Sequence, residues 1–264
     1  MCEIFGFTSN KPHRINEYLQ TFYSHCEEHP HGWGFANFQK NKPIIEKEAI
    51  KASDSEYLKN KLANPICVDN AMAHIRLATK GQLTSCNCHP FIDTDDEGLV
   101  WTLIHNGTIF NFPELDKYED KGIGKTDSEK ILLYIIDNID EAEDKKGKLS
   151  FDERFDILNR LITKLSANNN KVNLMISDGE YIYIHSNLLD SLHYLKLDGT
   201  ILFSTLPLSD ENWQDLPINT LFAFKDGELV KKGKSHNNEY IETEEDLKFI
   251  QDYIASLKAI EEKL

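Results

Sequence analysis

The spacing of apolar positions predicts a chain of many short strands and few helices. Residues 2–8 read as a strand that starts almost at the first residue. Ile15, Tyr18, Leu19, Phe22, Tyr23 and Cys26 then make one amphipathic stripe, which predicts a helix over 14–28. Strand-like stretches follow at 33–38 and 43–50, and Ser53 with Glu56 has the spacing of a capping box opening a short helix to residue 63. Further strands are expected at 71–78 and 99–105. Thr126 with Glu129 opens a helix over 127–142, and Ser150 with Glu153 opens another that carries Phe151, Phe155, Leu158, Leu161, Ile162 and Leu165.

Beyond residue 170 the pattern changes. Asp178-Gly179, Asp198-Gly199 and Asp226-Gly227 each separate β-rich runs, a strong hairpin signal, and a polar-faced helix over 243–263 closes the chain. Most strands are joined too tightly for parallel crossovers, so the pattern predicts antiparallel sheets covered by helices. A Rossmann fold is not expected, since no GxGxxG follows a first strand. With no linker, composition shift or internal repeat, residues 2–264 are expected to form a single domain.

Composition narrows the function classes. The chain has 264 residues, 40% of them hydrophobic and 28% charged, enough apolar material for a real core. Lys plus Arg number 29 against 44 Asp plus Glu, a formal charge of −15 that repels phosphate backbones. No basic stripe offsets it, since Lys145-Lys146-Gly147-Lys148 directly follows Asp140, Glu141, Glu143 and Asp144, so no nucleic-acid partner is expected. No apolar run approaches the roughly 20 residues of a membrane helix, and Met1-Cys2-Glu3-Ile4 lacks the features of a signal peptide. Cys2, Cys26, Cys67, Cys86 and Cys88 make an odd count, which favours reduced thiols and a cytoplasmic location.

Candidate chemistry begins at Cys2. A small residue at position 2 allows removal of Met1, which would leave a thiol beside a free α-amine whose ordinary pKa of about 7.7–8.0 makes it a usable base. The plainer reading is that Cys2 starts a buried strand. Ala73-His74-Ile75-Arg76-Leu77-Ala78-Thr79-Lys80-Gly81 sets an Arg in an apolar strand, where it is costly unless an anion meets it. Trp101 to Gly107 runs an apolar strand into Asn106-Gly107, a common turn dipeptide that also supplies two converging donors. Asp127 stands at a helix start, where capping is its default role.

Taken together, these segments resemble a known family. Met1-Cys2, His31-Gly32-Trp33-Gly34, His74-x-Arg76-x-Ala78-Thr79-x-Gly81, Asn87-x-His89-Pro90-Phe91, His105-Asn106-Gly107 and Thr126-Asp127-Ser128-Glu129 occur in the order seen in class II glutamine amidotransferases, which are N-terminal nucleophile hydrolases. The likeness is closest to short stand-alone members, including the type thought to cleave γ-glutamyl bonds in thiol metabolism, and it covers residues 2–130 by motif. It implies an α+β fold, a four-layer αββα sandwich of two antiparallel sheets. It also implies hydrolysis of the γ-amide of glutamine or a related γ-glutamyl compound through a thioester, with no cofactor and no metal. Cys2 then corresponds to the nucleophile with its α-amine as base, and Asn106 and Gly107 to the oxyanion hole. Arg76 corresponds to the grip on the substrate α-carboxylate, Asp127 to the acceptor of its α-ammonium, and Thr79 to a lining residue.

The departures from the family pattern are His31 before Gly-Trp-Gly, Lys80 where several synthase-linked members have His, and Cys88 where Thr commonly precedes His-Pro-Phe. Cys86-Asn87-Cys88-His89 also invites a zinc reading, but its spacing is too tight for the usual Cys-x₂₋₄-Cys pair. Trp101 is expected in the core, whereas Trp33 and His31 are candidates for the wall that meets the leaving group. The amidotransferase pattern uses essentially the whole chain, so the expected partner is a separate synthase or amidohydrolase subunit, with water as the other ammonia acceptor. Oligomeric state stays open. A non-catalytic binding or regulatory protein that keeps the fold is the alternative function class.

Overall fold

The first strand is buried on both faces along most of its length, which places it in an inner layer. The computed structural model describes residues 2–39 and 42–261, with 257–261 given by backbone alone. Its strands are β1 (Glu3–Arg14), β2 (Trp33–Gln39), β3 (Lys42–Glu48), β4 (Cys67–Ile75), β5 (Phe91–Thr94), β6 (Val100–Thr108), β7 (Lys171–Ser177), β8 (Ile182–His185), β9 (His193–Leu197), β10 (Thr200–Ser204), β11 (Gln214–Asp215), β12 (Phe222–Lys225) and β13 (Glu228–Lys232). They pair into a sheet of order β11-β9-β10-β1-β4-β2-β3 and a second of order β13-β12-β8-β7-β6-β5, antiparallel in both.

The helices cover the two outer faces. On the first sheet, Leu19 and Phe22 of α1 (Asn16–Ser24) and Leu58 of α2 (Glu56–Ala63) pack on Phe5, Phe7, Phe35 and Ala73. On the second, Ile131 and Ile135 of α3 (Asp127–Lys146) and Phe155 and Leu158 of α4 (Phe151–Leu165) pack on Trp101, Leu103, Leu174 and Ile176. Between the sheets lie Ile4, Met72, Ile104, Met175 and Phe203, the alternate residues of the same strands. The result is the four-layer αββα sandwich that the resemblance implies. A fifth helix, α5 (Glu244–Glu261), follows the last strand.

Several local expectations change. The stripe over 14–28 is α1 followed by a separate 3-10 turn, His25–Glu28. The capping residue of α2 is Ser55, which accepts from Leu58 N, whereas Ser53 lies in a 3-10 turn. Each of the three Asp-Gly pairs does sit between adjacent strands. At 178–179 the turn is clipped to α4: the buried Asp178 carboxylate accepts from Arg154 Nε (3.1 Å), Tyr183 Oη (2.7 Å), and the Glu180 and Tyr181 amides.

Asp178→Ala should therefore cost about 3–5 kcal/mol by stranding a buried guanidinium. Ser150→Ala, which removes the full capping box of α4, should cost only about 0.5–2 kcal/mol. Urea unfolding of the two variants side by side checks the ranking.

Candidate active site

The start of β1, the end of β4, the end of β6 and the start of β7 meet at one end of the sandwich. Glu3 pairs with Ile75, and Gly107 with Val172. Strand alternation turns Cys2 to the same side as Ile4, toward the second sheet. Its thiol is half-buried and donates to the Leu77 carbonyl at 3.3 Å. Burial pushes the thiol pKa up, while the positive charges of Arg76 and Lys171 pull the other way. The resting group is a protonated thiol.

Arg76 lies just past the end of β4 rather than within it, held by backbone bonds to Gly32 and His31. The side chain is buried, and its guanidinium curls into the loop that follows. Nη2 donates to the Lys80 carbonyl (2.9 Å) and the Gly81 carbonyl (3.2 Å), and Nη1 to the Gln82 carbonyl (3.2 Å). None of the ion pairs among the described residues involves Arg76. These three bonds use three of its five N–H groups and bring no carboxylate to the buried cation, which leaves it able to receive an anion.

Asn106 and Gly107 are not a turn, because β6 continues through Thr108 and pairs them with Asn173 and Val172. Gly107 must be glycine: a Cβ there would run into the Lys171 carbonyl oxygen and the His105 ring. Asn106 is buried, and its Oδ1 has no partner among the described residues. His105 supports both from the helix side. Its Nε2 bonds the Lys171 carbonyl at 3.1 Å, and since a carbonyl only accepts, Nε2 carries the hydrogen. Nδ1 is then left to accept from Ser128 Oγ at 3.0 Å.

Asp127 is the first residue of α3, where the helix dipole favours a carboxylate. Thr126 caps the helix by accepting from Glu129 N (3.2 Å). The Glu129 carboxylate, however, does not return to Thr126 and takes the Ile123 and Gly124 amides instead. Asp127 Oδ2 accepts from Ile109 N (2.8 Å) and Oδ1 from Ser128 N (3.0 Å), so lone pairs remain for a cation.

Cys2, Arg76, Thr79, Gly107 and Asp127 line one cavity, together with Lys80, His89, His105 and Ser128. Asn106 is buried beside it on β6. The cavity measures about 20 Å³, room for roughly one water. A larger cavity of about 250 Å³ adjoins it across Lys80 and Asp127, walled by Phe110, Phe112 and Lys130. A thiol, a guanidinium and a carboxylate around one small space can hold a zwitterion by both ends and present a third group to sulfur.

Other expected residues lie elsewhere. Trp33 is a core residue, fully buried among Tyr23 and Tyr57, with Nε1 donating to Glu48 (3.0 Å), so it forms no wall of the cavity. His31 also stands outside it and accepts the Ala78 amide through Nδ1 at 2.9 Å, buttressing the loop. Cys88 is buried against the Glu48 and Thr84 carbonyls, and Trp101 is core as expected. Among the described residues no three His, Cys, Asp or Glu side chains converge as metal ligands would.

Sequence reasoning missed Lys171. It opens an apolar strand and reads there as an edge residue, yet it is buried opposite Thr108, on the same sheet face as Asn106. Burial lowers its pKa to about 8, against the attraction of Cys2 and Glu242. Between about 8 and the ordinary value of 10.5 the unfolded chain binds a proton that the folded one does not, so this residue makes stability rise with pH across that window. Lys171→Met should accordingly be more stable than the parent at pH 7, and the gain should shrink as pH rises from 8 toward 10. Denaturant melts at a series of pH values test this, and a gain that grows with pH would refute it.

Comparison with known proteins agrees with this geometry. Residues 1–198 match the family model for class II glutamine amidotransferases. An uncharacterized protein of Methanocaldococcus jannaschii is 28% identical over 263 residues, spanning 89% of this chain and 72% of that protein. A glutamine aminotransferase class-II domain protein from Silicibacter pomeroyi shares the fold with a TM-score of 0.59 at 16% identity, covering 89% of this chain and all of the other. Glutamine phosphoribosylpyrophosphate amidotransferase from B. subtilis superposes with a TM-score of 0.65 at 14% identity, covering 89% of this chain but 49% of its own. With the family's motifs gathered at one end of the αββα sandwich, the chain belongs to the class II glutamine amidotransferases.

Proposed function

We propose that this protein hydrolyses the γ-amide of glutamine or of a related γ-glutamyl compound, with Cys2 as N-terminal nucleophile. The observation that carries this reading is Arg76, a buried guanidinium without a carboxylate partner among the described residues, facing the same cavity as Cys2 and Asp127. Arg76 takes the substrate α-carboxylate by paired hydrogen bonds, and Asp127 takes the α-ammonium. With both ends fixed, the γ-carbonyl carbon lies against sulfur.

With Met1 removed, the α-amine of Cys2 accepts the thiol proton as sulfur bonds to the carbonyl carbon. The carbonyl oxygen becomes an oxyanion held by the Asn106 amide and the Gly107 N–H. Return of the proton to the leaving nitrogen breaks the C–N bond, releasing ammonia or an amine and leaving a γ-glutamyl thioester. Water, deprotonated by the same amine, then adds to the thioester and frees glutamate and the thiol. Substrate is much larger than the single water that the cavity admits, so entry requires the loop after Arg76 to move. Residues 2–264 act here as one domain. Among the described residues no helix is long and apolar enough to cross a membrane.

A protein that keeps Met1, or carries an uncleaved tag ahead of it, should fold but lose amide hydrolysis. Intact-mass analysis paired with a glutaminase assay checks this, and full activity with a blocked N-terminus would sink the mechanism. Arg76→Ala should raise KM for glutamine by about tenfold or more. Because the guanidinium also ties down residues 80–82, some loss of Tm is expected, but wholesale unfolding would assign Arg76 to the fold instead.

Substrates should need a free α-amine while tolerating varied leaving amines. N-acetylglutamine should lose about tenfold or more in kcat/KM, since it strands the Asp127 carboxylate. The loss is moderated by the two backbone amides that Asp127 already holds. Equal rates with the acetylated compound would remove Asp127 from substrate recognition.

A further inference from the structure

We propose that Tyr253, on the C-terminal helix α5, is a positioning residue of this site, holding the loop that closes over Cys2. The proposal rests on the reading of the cavity as a glutamine site. Helix α5 lies beyond residue 198, where the match to the family model ends. It is tied to the body of the protein just ahead of its first turn. Asn169 exchanges two hydrogen bonds with the Ile241 backbone (both 2.9 Å), and Tyr240 Oη donates to Asp246 (3.1 Å). One helical turn on, Phe249 packs edge-on against Phe110, which stacks on Tyr240 and walls the larger cavity beside Asp127.

Phe249 and Tyr253 are four residues apart and share a helix face. That spacing carries the Tyr253 hydroxyl over the loop, where it donates to the Gly81 carbonyl at 3.0 Å. The same carbonyl accepts from Arg76 Nη2 at 3.2 Å. Gly81 has a φ of +77°, a left-handed conformation that glycine adopts without strain, so the loop reverses at the residue that both groups hold. Leu77, Ala78, Thr79 and Lys80, just upstream, line the Cys2 cavity.

The shared acceptor suggests a division of labour. When a substrate carboxylate approaches, the guanidinium reorients toward the stronger, charged acceptor and loosens its carbonyl bonds. The phenol has no anion to answer and keeps Gly81 in place. Burial also holds the Tyr253 phenol above its ordinary pKa, against the opposing charge of Arg76, so it remains a donor through the neutral range.

Tyr253→Phe removes the hydroxyl and keeps the ring on the same helix face as Phe249. Two readouts are compared with the parent protein: the rate at which iodoacetamide alkylates Cys2, followed by peptide mass spectrometry, and KM and kcat for glutamine. Loss of one such hydrogen bond should speed Cys2 alkylation and raise KM by about three- to tenfold, with little change in kcat. Faster alkylation in the variant, combined with no glutamine turnover by the parent, would support the loop-holding role while removing the catalytic reading of the cavity. Alkylation rate and KM both equal to the parent's would overturn the proposal.

Discussion

A guanidinium taken out of water must be given hydrogen bonds, and the way Arg76 obtains them organises this end of the molecule. The carbonyls of residues 80–82 turn inward to meet it, which bends the chain after β4 into a loop and lays Leu77 to Lys80 across Cys2. His31 supports that loop from behind through the Ala78 amide, and Tyr253 from above through Gly81. Carbonyl dipoles satisfy the guanidinium's hydrogen bonds without supplying an opposite full charge.

The end of the sandwich that holds Cys2 is also the place where both sheets run out of apolar neighbours. Between the sheets the interior is Ile4, Met72, Ile104 and Met175, but the last inward positions are Cys2, Asn106, Thr108 and Lys171. Desolvation there raises the thiol and lowers Lys171, so a neutral thiol is the resting state, facing a cation that costs the fold stability. His74 and His89, tilted against each other with ring centroids 4.0 Å apart, are likewise held well below the ordinary imidazole pKa by burial. The neutral rings add no charge of their own beside Arg76.

Much of the architecture was legible because it rests on local physics. A period of two, the Asp-Gly pairs and the Ser150 box depend on neighbours in sequence, and the structure keeps them. Where the local signal was ambiguous, tertiary pairing decided. Asn106-Gly107 suits a turn, but β7 offers partners through Thr108 and β6 runs on. The Ser53–Glu56 spacing pointed to Ser53 as the cap of α2, but the path of the chain puts Ser55 there, where its hydroxyl also bonds the Glu48 carboxylate. Trp33 between two glycines could have faced a cleft, yet the outer face of the first sheet needed a large ring beneath α1 and α2.

What the sequence determined by itself is the chemical inventory and its order: a Cys at position 2, an Arg in an apolar segment, an Asn-Gly at a strand end and an Asp at a helix start. Those residue types are chosen for reactivity and charge, and their meaning survives without coordinates. Only the tertiary structure decided which groups each charge meets, because those groups lie far apart in the chain. Arg76 answers to carbonyls rather than to Asp127, Lys171 turns inward opposite Thr108, and a tyrosine 172 positions beyond Gly81 reaches its carbonyl. Solvent exclusion and long-range approach carry no local sequence signature, since both arise only when the two sheets close on each other.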